Sequence, residues 1–212
     1  MILNKYKHFS FDLDGTLVYT TSDYRHRIVP KVIKELGGKI KEKHSIDRFW
    51  FESSRDEIIQ NDFNIEPATF WSLFRKLDKP ENRTLSTFVF NDVESCFKKL
   101  RKFNKVLSII TGAPEKIAKF ETKKFNGVPY DLFLSIYDSD YNEKPDPVSF
   151  HFVLEKLAID SKDTVYIGNS NEDAYFAKNA NVDFIYIDRG EHKFELKKHA
   201  VKIIQSLDEL FV

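Results

Sequence analysis

Short apolar runs that alternate with helical patterns limit the fold of this chain more than any other feature. The runs have strand length and are rich in β-branched and aromatic residues. They lie at 6–13, 106–110, 132–136, 164–167, 184–187 and 201–204. Helical patterns lie between them, near 92–103, 114–125, 146–158, 171–180 and 206–211. Because strands that alternate with helices pair in parallel, this order predicts an α/β fold: a doubly wound, Rossmann-like parallel sheet with helices on both faces.

The segment 18–88 interrupts this alternation, because its apolar and aromatic residues recur at helical spacing of three and four. Its patterns predict helices over Tyr24–Leu36, Ile46–Ile59 and Ala68–Leu77. We therefore expect a small α-helical domain at 18–88, inserted into a core formed by 1–17 and 89–212.

Composition and charge exclude several classes of protein. The chain has 212 residues, with 33 Lys and Arg against 33 Asp and Glu, so its net charge is zero. Nucleic-acid binding needs a basic face, and this balance argues against it. No stretch approaches the roughly 20 apolar residues of a membrane span, and the first residues lack the apolar segment of a signal peptide. The one cysteine, Cys96, excludes an intrachain disulfide. We expect a cytoplasmic protein with neither a nucleic-acid nor a membrane partner.

Two carboxylates, Asp12 and Asp14, follow the first apolar run, and Gly15 comes directly after them. In an extended strand, residues two apart point to the same face, so these two charges are expected to lie side by side. Like charges tolerate this when a cation lies between them or one carboxyl is protonated. Both situations indicate catalysis.

Polar residues also follow the later apolar runs. Thr111 and Gly112 follow the second run, Lys144 comes a short loop after the third, and Asn169 and Asp173 follow the fourth. Ligands of a doubly wound sheet bind outside the carboxyl ends of its strands. We therefore expect these residues to converge with the two aspartates on one edge of the sheet.

The four segments resemble the four motifs of the haloacid dehalogenase superfamily of hydrolases. The matching segments are Asp12-Leu-Asp14-Gly-Thr, Ile-Ile-Thr111-Gly112, Glu-Lys144-Pro-Asp-Pro and Gly-Asn169-Ser-Asn-Glu-Asp173. The resemblance covers essentially the whole chain, and the helical insert is similar to the type 1 cap of that superfamily.

The resemblance implies a role for each matching residue. Asp12 would be the nucleophile that forms an aspartyl phosphate, and Asp14 would protonate the leaving oxygen and then activate water. Thr111 and Gly112 would contact the phosphoryl group, and Lys144 would neutralise charge on that group and on the nucleophile.

The resemblance also implies a Mg²⁺ site formed by Asp12, Asp14, Asn169 and Asp173, with Asp14 contributing its backbone carbonyl. The superfamily usually has an aspartate where this chain has Asn169, and an amide oxygen brings no charge to a cation. We expect a working but weaker metal site. Within the insert, Arg55 is the residue that we expect to reach an anionic substrate.

The function implied is that of a Mg²⁺-dependent phosphatase acting on a small phosphorylated metabolite such as phosphoglycolate or a sugar phosphate. Phosphoryl mutase chemistry shares the four motifs and stays open. Dehalogenases of the superfamily lack the second acid, so Asp14 argues against that alternative. Asn169 is compatible with a catalytically impaired protein that only binds a phosphorylated ligand. Both a monomer and a homodimer are left open.

Overall fold

A computed structural model of the chain describes residues 2–52, 54–125, 127–191 and 195–212. It divides into two compact units, one of Met1–Tyr19 with Phe88–Val212 and one of Thr20–Thr87. The sequence placed the corresponding boundaries after residues 17 and 88. The chain passes between the units within two short strands that pair with each other.

The strands and helices are numbered in chain order. The strands are β1 (His8–Phe11), β2 (Val18–Thr20), β3 (Thr87–Val89), β4 (Val106–Thr111), β5 (Leu132–Ser135), β6 (Thr164–Gly168), β7 (Asp183–Ile187) and β8 (Ala200–Ile204). The helices are α1 (Ile2–Lys5), α2 (Ser22–Glu35), α3 (Ser45–Phe51), α4 (Arg55–Asp62), α5 (Pro67–Leu77), α6 (Pro80–Arg83), α7 (Val93–Lys102), α8 (Glu115–Thr122), α9 (Val148–Leu157) and α10 (Asn171–Asn179).

The larger unit contains a six-stranded sheet in the order β5-β4-β1-β6-β7-β8, and its neighbouring strands are parallel. Alternate residues of the strands face opposite layers, as the pleat of a strand requires. Ile109 and Ile167 lie in one buried cluster with residues of α7 and α8. Ile110 and Tyr166 lie in another with residues of α9 and α10. The predicted doubly wound α/β fold is therefore confirmed.

The helical unit has an aromatic core in which the rings of Phe49, Phe63, Phe70 and Phe74 contact one another. These contacts bring α3 and α5 together with the chain just after α4. Edge-to-face and offset-stacked rings at such distances add to the free energy gained by burial alone.

The prediction of one continuous helix over Ile46–Ile59 is wrong. The structure has α3 and α4 instead, with Glu52 extended between them (φ −93°, ψ 153°). At about 100° per residue, Ile46 and Phe49 would lie about 160° away from Ile58 and Ile59 on one straight helix. All four side chains are buried in the same core, so the helix must break. Ser53 lies outside the described residues.

One smaller expectation also needs correction. The pattern at 206–211 forms a 3₁₀ helix over Leu207–Phe211. Pro114 and Pro147 are the N-cap residues of α8 and α9. Within the described ranges, no helix has the length and apolar character needed to cross a bilayer.

A polar cluster around His8 is buried inside the sheet. The His8 ring lies 2.8 Å from Ser108 Oγ through Nε2 and 3.2 Å from Thr164 Oγ1 through Nδ1. The Ser108 hydroxyl in turn donates to Ser10 Oγ at 2.8 Å. Burial disfavours the imidazolium and lowers the pKa of His8 to about 4.

This burial predicts a loss of stability in acid. An unfolded histidine takes up a proton near pH 6.5, and folded His8 does so only near pH 4. Below pH 6.5 the unfolded state binds more protons, so the free energy of unfolding falls as the pH falls, by up to about 3 kcal/mol. Urea unfolding at pH 7.5 and pH 4.5 measures this loss.

The variant for this test is His8→Asn, which should lack that part of the pH dependence. His151→Asn is the control, because His151 is exposed on α9. Equal pH dependence in the natural chain and in His8→Asn would contradict the assignment to His8.

Candidate active site

Strand β1 ends one residue before the first aspartate, and the chain then turns. The Asp12 amide makes the last contact with the sheet, donating to the Ile167 carbonyl at 2.9 Å. The amides of residues 16, 17 and 18 then converge on the Leu13 carbonyl at 3.3, 2.9 and 3.1 Å. Asp14 thus lies in a turn and not in a strand, so strand alternation does not set its direction. Asp12 is buried and Asp14 is half-buried.

Glycine is required at the centre of this turn for two reasons. Gly15 has φ +76°, which side chains with a Cβ rarely adopt. A Cβ there would also lie 2.0 Å from Nδ2 of Asn169. Thr16 Oγ1 lies 3.4 Å from Asp12 Oδ2 and 3.4 Å from Asn169 Oδ1. The turn therefore brings a carboxylate oxygen and an amide oxygen to one hydroxyl.

Lys144 is the centre of the site. Its ammonium donates to Asp12 Oδ1 at 2.8 Å, to Asp173 Oδ1 at 2.9 Å and to the Tyr166 hydroxyl at 2.7 Å. The three protons of an ammonium match these three acceptors. The side chains of Lys144 and Asp173 are only 4% and 2% exposed.

Burial and charge oppose each other in this cluster. Burial alone would lower the pKa of Lys144, but the charges of Asp12 and Asp173 outweigh it and hold that pKa well above its usual range. Burial raises the pKa of the Asp12 carboxyl, and the Lys144 charge opposes the rise. Lys144 is therefore a fixed positive charge beside a carboxylate that depends on it.

Asp173 lies at the start of α10, where it closes a capping box with Ser170. Its Oδ2 accepts from the amides of Asn169 and Ser170, both at 3.2 Å, and from the Ser170 hydroxyl at 2.7 Å. A Cβ at Gly168 would lie 2.6 Å from Asp173 Cγ. The glycine at the end of β6 therefore leaves the space into which this carboxylate folds.

Tyr166 belongs to the cluster, and sequence reasoning missed it. Its hydroxyl accepts from Lys144 and lies 3.2 Å from two acceptors, the Ile110 carbonyl and Asp173 Oδ1. The residue lies inside an apolar strand, which concealed its role. One signal was available: Tyr166 is two residues before the strand end, on the face opposite to its apolar neighbours Val165 and Ile167.

Thr111 ends β4, the strand that pairs with β1 on the side away from β6. It is buried, and its Oγ1 accepts from the Ala113 amide at 3.1 Å. Since that lone pair is engaged, the hydroxyl proton is available to another acceptor. A Cβ at Gly112 would meet nothing within 4 Å, so crowding does not require glycine there.

The remaining predicted residue, Arg55, is the first residue of α4 in the helical unit. Its assignment to substrate binding stays a prediction.

The metal donors are a separate question. Among the residues that the structure describes, no three or more His, Cys, Asp or Glu side chains are grouped as a metal site. The predicted site of Asp12, Asp14, Asn169 and Asp173 combines two carboxylates, an amide and a backbone carbonyl. Asp12 Oδ2 and Asn169 Oδ1 both lie 3.4 Å from the Thr16 hydroxyl, so two oxygen donors come close together there. A small set of oxygen donors fits a hard cation that keeps several of its waters.

A family model described as haloacid dehalogenase-like hydrolase matches residues 10–187. The match spans most of the chain and includes every residue of the cluster around Lys144. The chain belongs to this family. The predictions of the superfamily and of a hydrolase within it are confirmed.

Individual relatives agree with the family. The chain is 26% identical over 200 residues to a phosphoglycolate phosphatase of Psychrobacter arcticus, covering 85% of this chain and 82% of that one. A Bacteroides fragilis protein described as a haloacid dehalogenase-like hydrolase has a TM-score of 0.80 at 22% identity, covering 97% and 100%. CbbY from Rhodobacter sphaeroides, solved with phosphate, has a TM-score of 0.74 at 15% identity, covering 97% and 96%. The two structures show the shared fold.

Because two buried carboxylates share the Lys144 ammonium, its removal is expected to destabilise the fold. Lys144→Met leaves the Asp12 and Asp173 carboxylates buried without their cation, and the expected loss at pH 7 is about 3 kcal/mol of unfolding free energy. The loss should be smaller in an Asp12→Asn background, where one of the two charges is gone. Urea unfolding of the four chains of this cycle measures the coupling.

The exposed Lys156→Met on α9 is the control for this cycle and should change stability by less than about 0.5 kcal/mol. An equal loss from Lys144→Met in both backgrounds would show that the two residues are not coupled.

Proposed function

We propose that this chain is a Mg²⁺-dependent phosphatase that hydrolyses a small phosphorylated metabolite through an aspartyl-phosphate intermediate. The observation that carries the proposal is the buried Asp12 carboxylate, held at 2.8 Å by a lysine that is itself fixed from two further sides. A nucleophilic carboxylate must stay ionised and must be approached by an anionic substrate, and a fixed cation serves both needs.

In the first step, an oxygen of Asp12 forms a bond to phosphorus while the bond from phosphorus to the leaving oxygen breaks. Asp14 gives its proton to that oxygen, so the departing group leaves as a neutral alcohol. The Thr111 hydroxyl donates a hydrogen bond to a phosphoryl oxygen, while its own oxygen accepts from the Ala113 amide. Lys144 stabilises the charge shared between the nucleophile and the phosphoryl group.

In the second step, water attacks phosphorus and gives a proton to Asp14. The bond from phosphorus to Asp12 breaks, which restores the Asp12 carboxylate, the Asp14 acid and free phosphate. The half-buried position of Asp14 beside a buried nucleophile suits a group that meets both a leaving group and water.

Asp173 receives a different role from the one that the resemblance implied. Both of its oxygens already accept hydrogen bonds, from Lys144 on one side and from Ser170 and two amides on the other. A cation would have to displace these partners. We therefore assign Asp173, together with Tyr166, to positioning Lys144.

The Mg²⁺ ligands that we propose are Asp12, Asn169 and the backbone carbonyl of Asp14. When bound, Mg²⁺ supplies positive charge that screens the substrate phosphate from the nucleophile. Asn169 contributes an oxygen without a charge, so the site should bind the cation more weakly than one with a carboxylate.

The metal assignment predicts that Asn169→Asp tightens Mg²⁺ binding by about tenfold, because ligand charge raises affinity for a hard cation. Calorimetric titration of the purified protein with Mg²⁺ measures this without any turnover. Asn91→Asp adds the same charge at an exposed position of the same unit and should leave the affinity unchanged. Tight binding in the natural chain that Asn169→Asp does not alter would overturn the assignment.

The substrate proposed is phosphoglycolate or a sugar phosphate. The curated relative from Psychrobacter arcticus supports phosphoglycolate at 26% identity. Phosphomutase activity is the alternative that shares all the residues discussed, and the two differ in product: a phosphatase releases inorganic phosphate, and a mutase returns an isomer. The cytoplasmic location, the absence of nucleic-acid binding and the oligomeric state stay predictions.

The function is tested with p-nitrophenyl phosphate, phosphoglycolate and a panel of sugar phosphates, in Mg²⁺ and in EDTA. We expect phosphate release that needs Mg²⁺ and falls at least about a thousandfold in Asp12→Asn, because the nucleophile is lost. Binding of phosphate esters without release would favour the non-catalytic alternative. The phosphatase proposal would be wrong if the natural chain showed no metal-dependent turnover above that of Asp12→Asn on any substrate of the panel.

A further inference from the structure

A second buried ion pair lies beside the turn that carries the two aspartates. Arg189, just after β7, donates from Nη1 to Asp92 Oδ2 at 2.7 Å and from Nη2 to Asp92 Oδ1 at 2.9 Å. The two side chains are 7% and 10% exposed. The guanidinium also lies over the Phe90 ring, with Cζ 4.0 Å from its centre. This fork-to-carboxylate geometry fixes the guanidinium in one plane.

The same guanidinium makes one contact that the ion pair does not require. Nη2 also donates to the backbone carbonyl of Thr16 at 2.9 Å. Thr16 is the residue whose hydroxyl lies 3.4 Å from both Asp12 and Asn169. Its carbonyl is therefore held from one side while its hydroxyl lies beside the reacting carboxylate.

A gain in stability alone does not account for the buried pair of Arg189 and Asp92. Desolvating an arginine and an aspartate costs free energy, and their attraction often only balances that cost. Among the described residues, Arg189 Nε is buried without a hydrogen-bond partner, which adds to the cost. A buried pair of this kind is weak support for a purely stabilising role.

The pair is anchored to a part of the chain far from the turn in sequence. Asp92 accepts from the Ser206 hydroxyl at 3.0 Å and from the Leu207 amide at 2.9 Å. The start of α7, the end of β7 and the C-terminal segment thus meet at one carboxylate. The turn is also held by a backbone bond from the Phe90 amide to the Leu17 carbonyl at 3.0 Å.

We propose that Arg189, held by Asp92, is a positioning residue that fixes the turn 12–17 and so sets the place of Asp12 and Asp14. It acts through Thr16 and touches no reacting atom. The proposal deepens the proposed function, on which its kinetic test rests.

The first test is local hydrogen–deuterium exchange in native conditions, which needs no turnover. In Arg189→Met, the amides of residues 15, 17 and 18 should exchange at least about tenfold faster, because loss of a charged hydrogen bond makes local opening easier. Arg101→Met is the matched control. Arg101 forms a half-exposed ion pair with Asp131 at 2.7 Å in the same unit, next to the start of β4 and β5 and away from the turn.

The second test is steady-state kinetics on the best substrate of the panel. Arg189→Met and Asp92→Asn should lower kcat about tenfold or more while KM changes little, because a misplaced nucleophile slows the chemical step more than binding. Arg189→Lys keeps a donor and a charge and should recover part of kcat. Arg101→Met should keep kcat once rates are corrected for the folded fraction.

Exchange at residues 15–18 that rises no more in Arg189→Met than in Arg101→Met would overturn the proposal. So would equal kcat values for these two variants. If the natural chain releases no phosphate from any substrate, the proposed function fails, while the exchange measurement still decides whether Arg189 fixes the turn.

Discussion

The Lys144 ammonium is the interaction on which the site depends. It is buried, and two carboxylates, Asp12 directly after β1 and Asp173 at the start of α10, lie within 2.9 Å of it. Removing this cation would leave two buried carboxylates without their partner, and removing the carboxylates would leave a buried ammonium without its own. The three groups therefore hold the loop before α9, the end of β1 and the start of α10 in one arrangement.

Small residues and close approaches make that arrangement possible. Gly168 leaves the volume into which the Asp173 carboxylate folds, and Gly15 leaves the volume taken by the Asn169 amide. Gly168 thus permits Asp173 to reach Lys144, and Gly15 permits Asn169 to reach the turn after β1. The Tyr166 hydroxyl, on a side chain of β6, is the third acceptor of the Lys144 ammonium. The site is built from backbone geometry as much as from charged groups.

The ion pair of Arg189 and Asp92 extends this organisation to the other side of the turn. One side of the turn meets Lys144 through Asp12, and the other side meets Arg189 through the Thr16 carbonyl. The two cations lie on segments that are distant in sequence. Lys144 is held by Asp12 and Asp173, and Arg189 is held by Asp92. The turn is thus held between two buried charges, which suits the accurate placement that the proposed nucleophile requires.

The sequence by itself determined the class of fold and the residues at the strand ends, because strand–helix alternation and the four motifs are local patterns. It could not place the helix break at Glu52, because that break follows from which side chains share one core. It also missed Tyr166 and Arg189. Tyr166 lies in β6 and Arg189 just after β7, and the residues that their side chains contact depend on strand order and register. Only the tertiary structure decided that Asp173 holds Lys144 and that Arg189 reaches Thr16, since these contacts join residues 29 and 173 positions apart.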